Sequence, residues 1–308
     1  MKRARRFAVF LLVRAAFACA SILPLRVALA IGRVVGLAGF FLAARPRRIA
    51  LRQLVERLGV SESKARWLAR EAFASTGELV AELAAIRGAP ALERSVEFPD
   101  EARELLDRTL ADGQGAIVVT GHIGNFELLA RRVAIAGYDV ATLARAHPNP
   151  FIAEWLVAER ARARVETIER KDPRAARKIL GALRRRAILG VLIDQDTSVR
   201  SAFVPFFGEL AKTPTVAAEL AQRRATPLLV AYVERDGDAR CVRVERLDTT
   251  GLPETTEDAV VELTARMSAA LERAIRRDPA SWVWYHERWR SRPELGDGSA
   301  CSSGRFAP

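Results

Sequence analysis

Two short runs decide what this chain is able to fold into. Ala116–Thr120 reads AIVVT, and Ile188–Ile193 reads ILGVLI, a fully apolar stretch. Runs of this kind suit strands covered on both faces, as in a parallel sheet sandwiched between helices. The segments around them carry helical periodicity. Helices are predicted over 101–111, 125–135, 150–163, 174–186 and 215–224, with further strands over 140–143, 165–168, 227–233 and 240–247. Helix and apolar strand alternate, so the fold class is α/β, with a central, mostly parallel sheet flanked by helices. Upstream, residues 46–90 read as helices, the second opening at Ser61 as its cap. A long helix is predicted from Thr256 to Arg276, and the segment between Ile193 and Thr215 reads as a long loop.

The N-terminus is of a different kind. No acidic residue precedes Glu56. Two apolar stretches separated by Pro24 and Arg26 fill this region, each near the ~20 residues of a bilayer crossing. Each carries an internal arginine, Arg14 or Arg33, which costs ~2.5–3.5 kcal/mol at a bilayer centre unless it snorkels. The pattern favours a helix or helical hairpin embedded at the inner leaflet, with its arginines at lipid phosphates. Two other readings compete: a secretory signal ending at Ala18-Cys19-Ala20, and an ordinary buried helix pair. Flanking arginines fit retention of the body on the cytoplasmic face. The expected organisation is a membrane-associated segment over 1–45, a main domain over 46–293, and a polar, disordered tail over 294–308.

Lys and Arg number 49 against 37 acidic residues, a formal charge of +12. Such a field favours acidic partners such as anionic lipid, a phosphorylated substrate or an acidic carrier protein. Nucleic acid is not expected, because the early basic residues flank apolar segments and no helix-turn-helix or aromatic RNA-binding block is present. Three widely spaced cysteines form neither a disulfide framework nor a metal-ligand pattern.

The stretch TGHIGNFELLA, Thr120–Ala130, holds one of only three histidines. It follows a strand, and Gly121 and Gly124 permit a tight bend before a helix that Asn125 is suited to cap. Ligands of open α/β sheets bind beyond the carboxyl ends of the strands, which is where His122 falls. Glu127, in the first helical turn, is expected to fold back onto the imidazole, fix its tautomer and strengthen its free nitrogen as a base. No GxSxG elbow is present, so the base would act on a substrate hydroxyl.

GHIGNFE resembles the H-x4-[DE] block of the lysophospholipid acyltransferase superfamily, and looks closest to its lipid A late acyltransferase branch. Other blocks agree in order: RPRRIALRQLVERLG, LARAHPNPFIAEWLVAERARA, LIDQD followed by FVPFFGELAKTPT, and WYHERWRSRP. The resemblance covers residues 1–293. The wording of the N-terminal helices departs from that of many members, which bears on the branch more than on the superfamily.

The resemblance implies an acyltransferase that needs no metal, no cofactor and no acyl-enzyme. An acyl carrier protein or coenzyme A thioester would be the donor, and a lipid A precursor at the inner membrane the acceptor. A lysophospholipid or a phosphatidylinositol mannoside is the alternative acceptor, and a non-catalytic membrane-surface protein on the same scaffold the alternative class. His122 would be the base, Glu127 its orienting partner, and Arg160 or amides of the Gly121–Asn125 turn the oxyanion donors, with Gly124 and Asn125 thereby touching substrate. Asp194 and Asp196 would position Arg160 or the acceptor, or act as turn formers. Arg145 would clamp an acceptor phosphate, and Phe206 would belong to an exposed aromatic loop walling the acyl chain. His147 and His286 read as structural. Trp282, Trp284 and Trp289 suit either a membrane interface or the core.

Overall fold

The computed structural model describes residues 2–86, 91–236 and 239–293; the expected tail over 294–308 lies outside them. Four helices lead the chain: α1 (Lys2–Ser21), α2 (Leu25–Leu42), α3 (Ala44–Leu58) and α4 (Glu62–Ala85). Pro24 separates the first pair, and Gly59, in left-handed conformation, ends α3. Ser61 caps α4 by accepting from the Lys64 N–H at 3.3 Å, as its sequence predicts. The short α5 (Ala91–Ser95) then leads to α6 (Asp100–Ala111).

The alternating body follows: β1 (Ala116–Thr120), α7 (Phe126–Ile135), β2 (Val140–Ala144), α8 (Pro150–Arg162), β3 (Val165–Glu169), α9 (Ala175–Arg184) and β4 (Ile188–Leu192). After it come β5 (Ser201–Phe206), β6 (Glu209–Pro214), α10 (Val216–Arg224), β7 (Leu228–Asp236), β8 (Ala239–Arg246) and α11 (Thr256–Arg277). Six strands form one sheet in the order β3-β2-β4-β1-β7-β8. All neighbours are parallel except the hairpin pair β7 and β8.

Alternation along β1 divides the interior. Ile117 and Val119 face a core shared with α9, α10 and α11, whereas Ala116 and Val118 face one shared with α6 and α7. The central strand β1 is apolar almost throughout because both its faces are buried.

The segment expected to be a long loop is instead the two-stranded hairpin β5–β6, turned by Phe207 and Gly208, both at positive φ. Two consecutive positive φ values match the twist of a tight hairpin. Phe206 and Phe207 are buried there, packed with Trp282, Trp284 and Trp289 at ring separations of 4.7–6.4 Å. The Arg288 guanidinium is buried beside them, donating to the Lys212 carbonyl at 2.5 Å and the Thr213 hydroxyl at 2.6 Å. Burial lowers its pKa to about 10. Of the two settings left open for the tryptophans, the core is the one observed.

The N-terminal helices are docked on the body. Backbones of α2 and α4 meet at Gly32, Gly36 and Gly77: a Cβ on Gly32 would lie 2.5 Å from the Gly77 carbonyl oxygen. Such small-residue contacts let two helices approach to backbone distance. Arg33, expected at lipid phosphates, is taken by protein carboxylates instead, bidentate to Glu71 at 2.7 and 2.8 Å and within 3.3 Å of Glu78. Helix α1 lies against α8 through Phe7 and Phe10 on Phe151, and Phe17 on Trp155. The outer faces remain apolar and open, with Leu12, Val34, Val35 and Leu42 each more than 60% exposed. Helix α2 is long and apolar enough to cross a membrane.

Candidate active site

Parallel register builds the centre of the site. Thr120, the last residue of β1, pairs with Leu192, the last of β4. His122 and Asp194 each lie two residues further on, so neighbouring strands deliver them to the same place. The Asp194 carboxylate accepts from the backbone N–H of His122 at 2.6 Å, from the indole of Trp282 at 2.8 Å, and faces His122 Nδ1 at 2.9 Å.

Electrostatics follow from this enclosure. Burial alone pushes the Asp194 carboxyl up, but the adjacent imidazole and the hydrogen bonds from His122 and Trp282 outweigh it and hold the group at about 2. Burial pulls His122 down, yet the charge and hydrogen bond of Asp194, with a smaller contribution from Glu127, raise its pKa overall. An ionised acceptor at Nδ1 places the proton there and leaves the Nε2 lone pair as the base. The Gln195 amide nitrogen lies 3.2 Å from Nε2.

The imidazole partner is therefore Asp194, and not Glu127 as the H-x4-E spacing suggests. Asn125 caps α7 by accepting from the Leu128 N–H at 2.9 Å, fixing Glu127 in the first turn. From there its carboxylate meets Arg160 of α8, whose Nε lies 3.0 and 3.2 Å from the two oxygens and whose Nη2 binds the same group. Arg160 and Glu127 both line the cavity that holds His122.

That cavity has a volume of about 560 Å³, within the usual range for small-ligand sites. His122, Glu127, Arg160, Arg145 and Arg170 line its polar part. Its apolar part runs between α7, through Leu129 and Val133, and the sheet at Val118, Thr142 and Gly190. No serine or cysteine among the described residues lines it. Among the described residues no cluster of three His, Cys, Asp or Glu is placed to hold a metal ion.

Four expected substrate contacts lie elsewhere. Gly124 has φ +54°, and a Cβ there would sit 2.5 Å from the Val233 carbonyl oxygen. Its N–H donates to the Ser281 carbonyl at 3.0 Å, so it shapes the bend without facing substrate. Asn125 is buried and donates to Glu82 at 2.8 Å. Asp196 accepts from the Ser291 N–H at 2.7 Å and its hydroxyl at 3.1 Å, anchoring the C-terminal segment. Phe206 is in the aromatic core. None of the four lines the cavity. Two of the turn amides expected as oxyanion donors, the N–H groups of His122 and Gly124, are engaged within the protein, whereas the side-chain candidate Arg160 lines the cavity. His147 accepts from the Asn149 N–H at 3.0 Å, away from the cavity.

Three contributors are not assigned to the dyad or the cavity by the sequence. Trp282 and Gln195 reach the dyad from a distant segment and from the residue after Asp194, and Arg170 is one arginine among many.

A mostly parallel α/β sheet whose strand ends hold a carboxylate-backed imidazole above an apolar cavity is an arrangement able to take a proton from a polar group held beside an apolar chain. Comparison with known sequences carries this to a particular family. The profile of the bacterial lipid A biosynthesis acyltransferases matches residues 2–291, and the chain belongs to that family. It is 28% identical over 206 residues to the lipid A biosynthesis palmitoleoyltransferase of Escherichia coli K12, a match covering 66% of this chain and 64% of the relative. The lipid A biosynthesis lauroyltransferase of the same strain is 28% identical over 188 residues, covering 60% and 59%. A lipid A biosynthesis acyltransferase of Haemophilus influenzae is 27% identical over 187 residues, covering 58% and 57%. The matched segments thus span less than two thirds of these relatives.

Proposed function

We propose that this protein transfers a fatty acyl chain from a thioester, carried by acyl carrier protein or coenzyme A, to a hydroxyl of a lipid A precursor. The observation that carries the reading is the His122–Asp194 pair at the polar end of an apolar cavity that, among the described residues, no serine or cysteine lines. His122 Nε2 takes the hydroxyl proton while Asp194 stabilises the imidazolium that forms. The acceptor oxygen attacks the thioester carbonyl, and charge gathers on the carbonyl oxygen. Arg160, held in place through Nε and Nη2 by Glu127, leaves Nη1 to meet that charge. Collapse breaks the C–S bond, and the departing thiolate recovers the proton from His122. The acyl chain occupies the apolar space beneath α7.

The exposed apolar faces of α1 and α2, with the arginines around them, support attachment to the inner membrane with the site on the cytoplasmic side. The test is transfer of acyl chains from an acyl thioester to a tetra-acylated lipid A precursor by purified protein, followed by mass spectrometry. His122→Ala is expected to lower the rate by ~10²–10⁴-fold, the range for loss of a general base. Transfer that survives this substitution, or that occurs only to a lysophospholipid, would overturn the reading.

A further inference from the structure

Pairing of β2 with β3 ends at Ala144 and Glu169, and the ladder continues one step through the Arg170 N–H, which donates to the Ala144 carbonyl at 2.9 Å. The next residues on the two strands, Arg145 and Arg170, are therefore neighbours at the carboxyl edge of the sheet. Both line the cavity that contains His122. Like charges side by side on adjacent strands are destabilising, and most basic groups nearby have a carboxylate. Arg160 has Glu127, Arg200 has Glu219 at 3.3 Å, Arg185 has Glu166 at 2.7 Å, and Lys178 has Asp172 at 2.7 Å. Among the described residues no carboxylate pairs with Arg145 or Arg170. Partial burial, with the Arg145 charge beside it, lowers the pKa of Arg170.

We propose that Arg145 and Arg170 form a two-guanidinium clamp for a phosphate group of the substrate, set beside the base so that bound phosphate fixes which hydroxyl or carbonyl reaches His122. This rests on the acyl-transfer reading and adds a specificity element to it. Two planar forks match the oxygens of a phosphate, and a dianionic monoester would neutralise both charges. The phosphate belongs either to a phosphorylated glycolipid acceptor or to the phosphate-linked pantetheine arm of the donor.

The experiment compares wild type, Arg145→Gln, Arg170→Gln, the double variant and Arg170→Lys, with phosphorylated and dephosphorylated acceptors and with acyl-pantetheine donors bearing or lacking phosphate. If the clamp holds the acceptor, Arg170→Gln raises acceptor KM by ~10-fold or more with kcat little changed, since one charge-assisted contact is removed. Dephosphorylated acceptor then shows the wild type the same penalty, with no further loss in the variant, and Arg170→Lys recovers part of the affinity. If the penalty appears in donor KM and vanishes with the phosphate-free donor, the clamp stands and the phosphate is the donor's. A penalty indifferent to phosphate on either substrate overturns it. Calorimetric titration with glucose 1-phosphate against glucose reads the clamp without turnover. Phosphate-dependent binding lost in the double variant supports it even if wild type transfers no acyl chain, a result that would sink the acyl-transfer reading alone. Equal binding by wild type and double variant, or none by either, overturns the clamp.

Discussion

Replacing Asp194 with Asn is the sharpest single test of how the base is made. The carboxylate accepts three N–H groups: two at Oδ2, from the His122 backbone and the Trp282 indole, and the imidazole Nδ1–H at Oδ1. Asparagine has one acceptor oxygen. If that oxygen keeps the two-donor position, its NH2 group faces Nδ1, which must then present a lone pair. The ring proton moves to Nε2, and the base is lost by tautomer exchange with almost no change in shape. A fall in kcat of ~10³-fold is expected, about 4 kcal/mol in the barrier. Residual activity should lose its acid limb at lower pH than wild type. The base works neutral, so wild-type activity falls as pH drops through the raised His122 value, and removing the Asp194 charge lowers that value.

Stability gives an independent reading of the same change. The folded Asp194 value lies near 2 against 3.8 for the free side chain, so its contribution is present above pH 3.8 and is lost as pH falls toward 2. The contribution is on the order of 2 kcal/mol, and the variant should melt lower at neutral pH and show less acid dependence in that window. Glu127→Gln is the comparison: it frees Arg160 and lowers activity, but leaves the tautomer in place and moves the acid limb less. A purified Asp194→Asn enzyme with kcat within about threefold of wild type and an unmoved acid limb would refute the argument, above all if Glu127→Gln behaved as predicted for Asp194.

Two further outcomes follow from packing. At Gly190, between Val118 and Thr142 on the cavity floor, a Cβ would make ordinary contact 3.5 Å from Thr142 Cγ2. Gly190→Leu should therefore fold, fill part of the apolar space and shift donor preference toward shorter acyl chains, measured by competing thioesters of graded length. Gly77→Leu has no such room, because its Cβ would overlap the Gly32 backbone. Separation of α2 from α4 should follow, with a loss of about 3 kcal/mol or more from overpacking, read as a lower melting temperature and faster proteolysis between α2 and α3.

Much of the fold is legible in the residues because the central strands β1 and β4 lie between helical layers and so read as short apolar runs. The hairpin β5–β6 does not: Pro205 interrupts its pattern, and Phe207-Gly208 is not a usual turn pair, being held open by burial of the aromatic rings around it. The site was legible as a place and not as a set of partners. His122 falls at a strand end that local pattern reveals. Its pairing with Asp194 depends on β4 lying beside β1, a sheet order that no local spacing encodes, while Glu127 is close in sequence and turned toward α8. Asn125, likewise, is recognisable as a cap, but the Glu82 beneath it belongs to a helix more than forty residues away in the chain.

That buried helix has a mechanical meaning. Glu78 and Glu82 sit one turn apart on α4. The first grips Arg33 of α2 and Arg235 of β7, and the second grips Arg240 of β8 and the Asn125 that caps α7. Helix α2 is thus no tether on which a separate enzyme swings. Its ion pairs run through α4 to the bend that carries His122, so the apolar helix and the cavity lean on the same two buried carboxylates, Glu78 and Glu82.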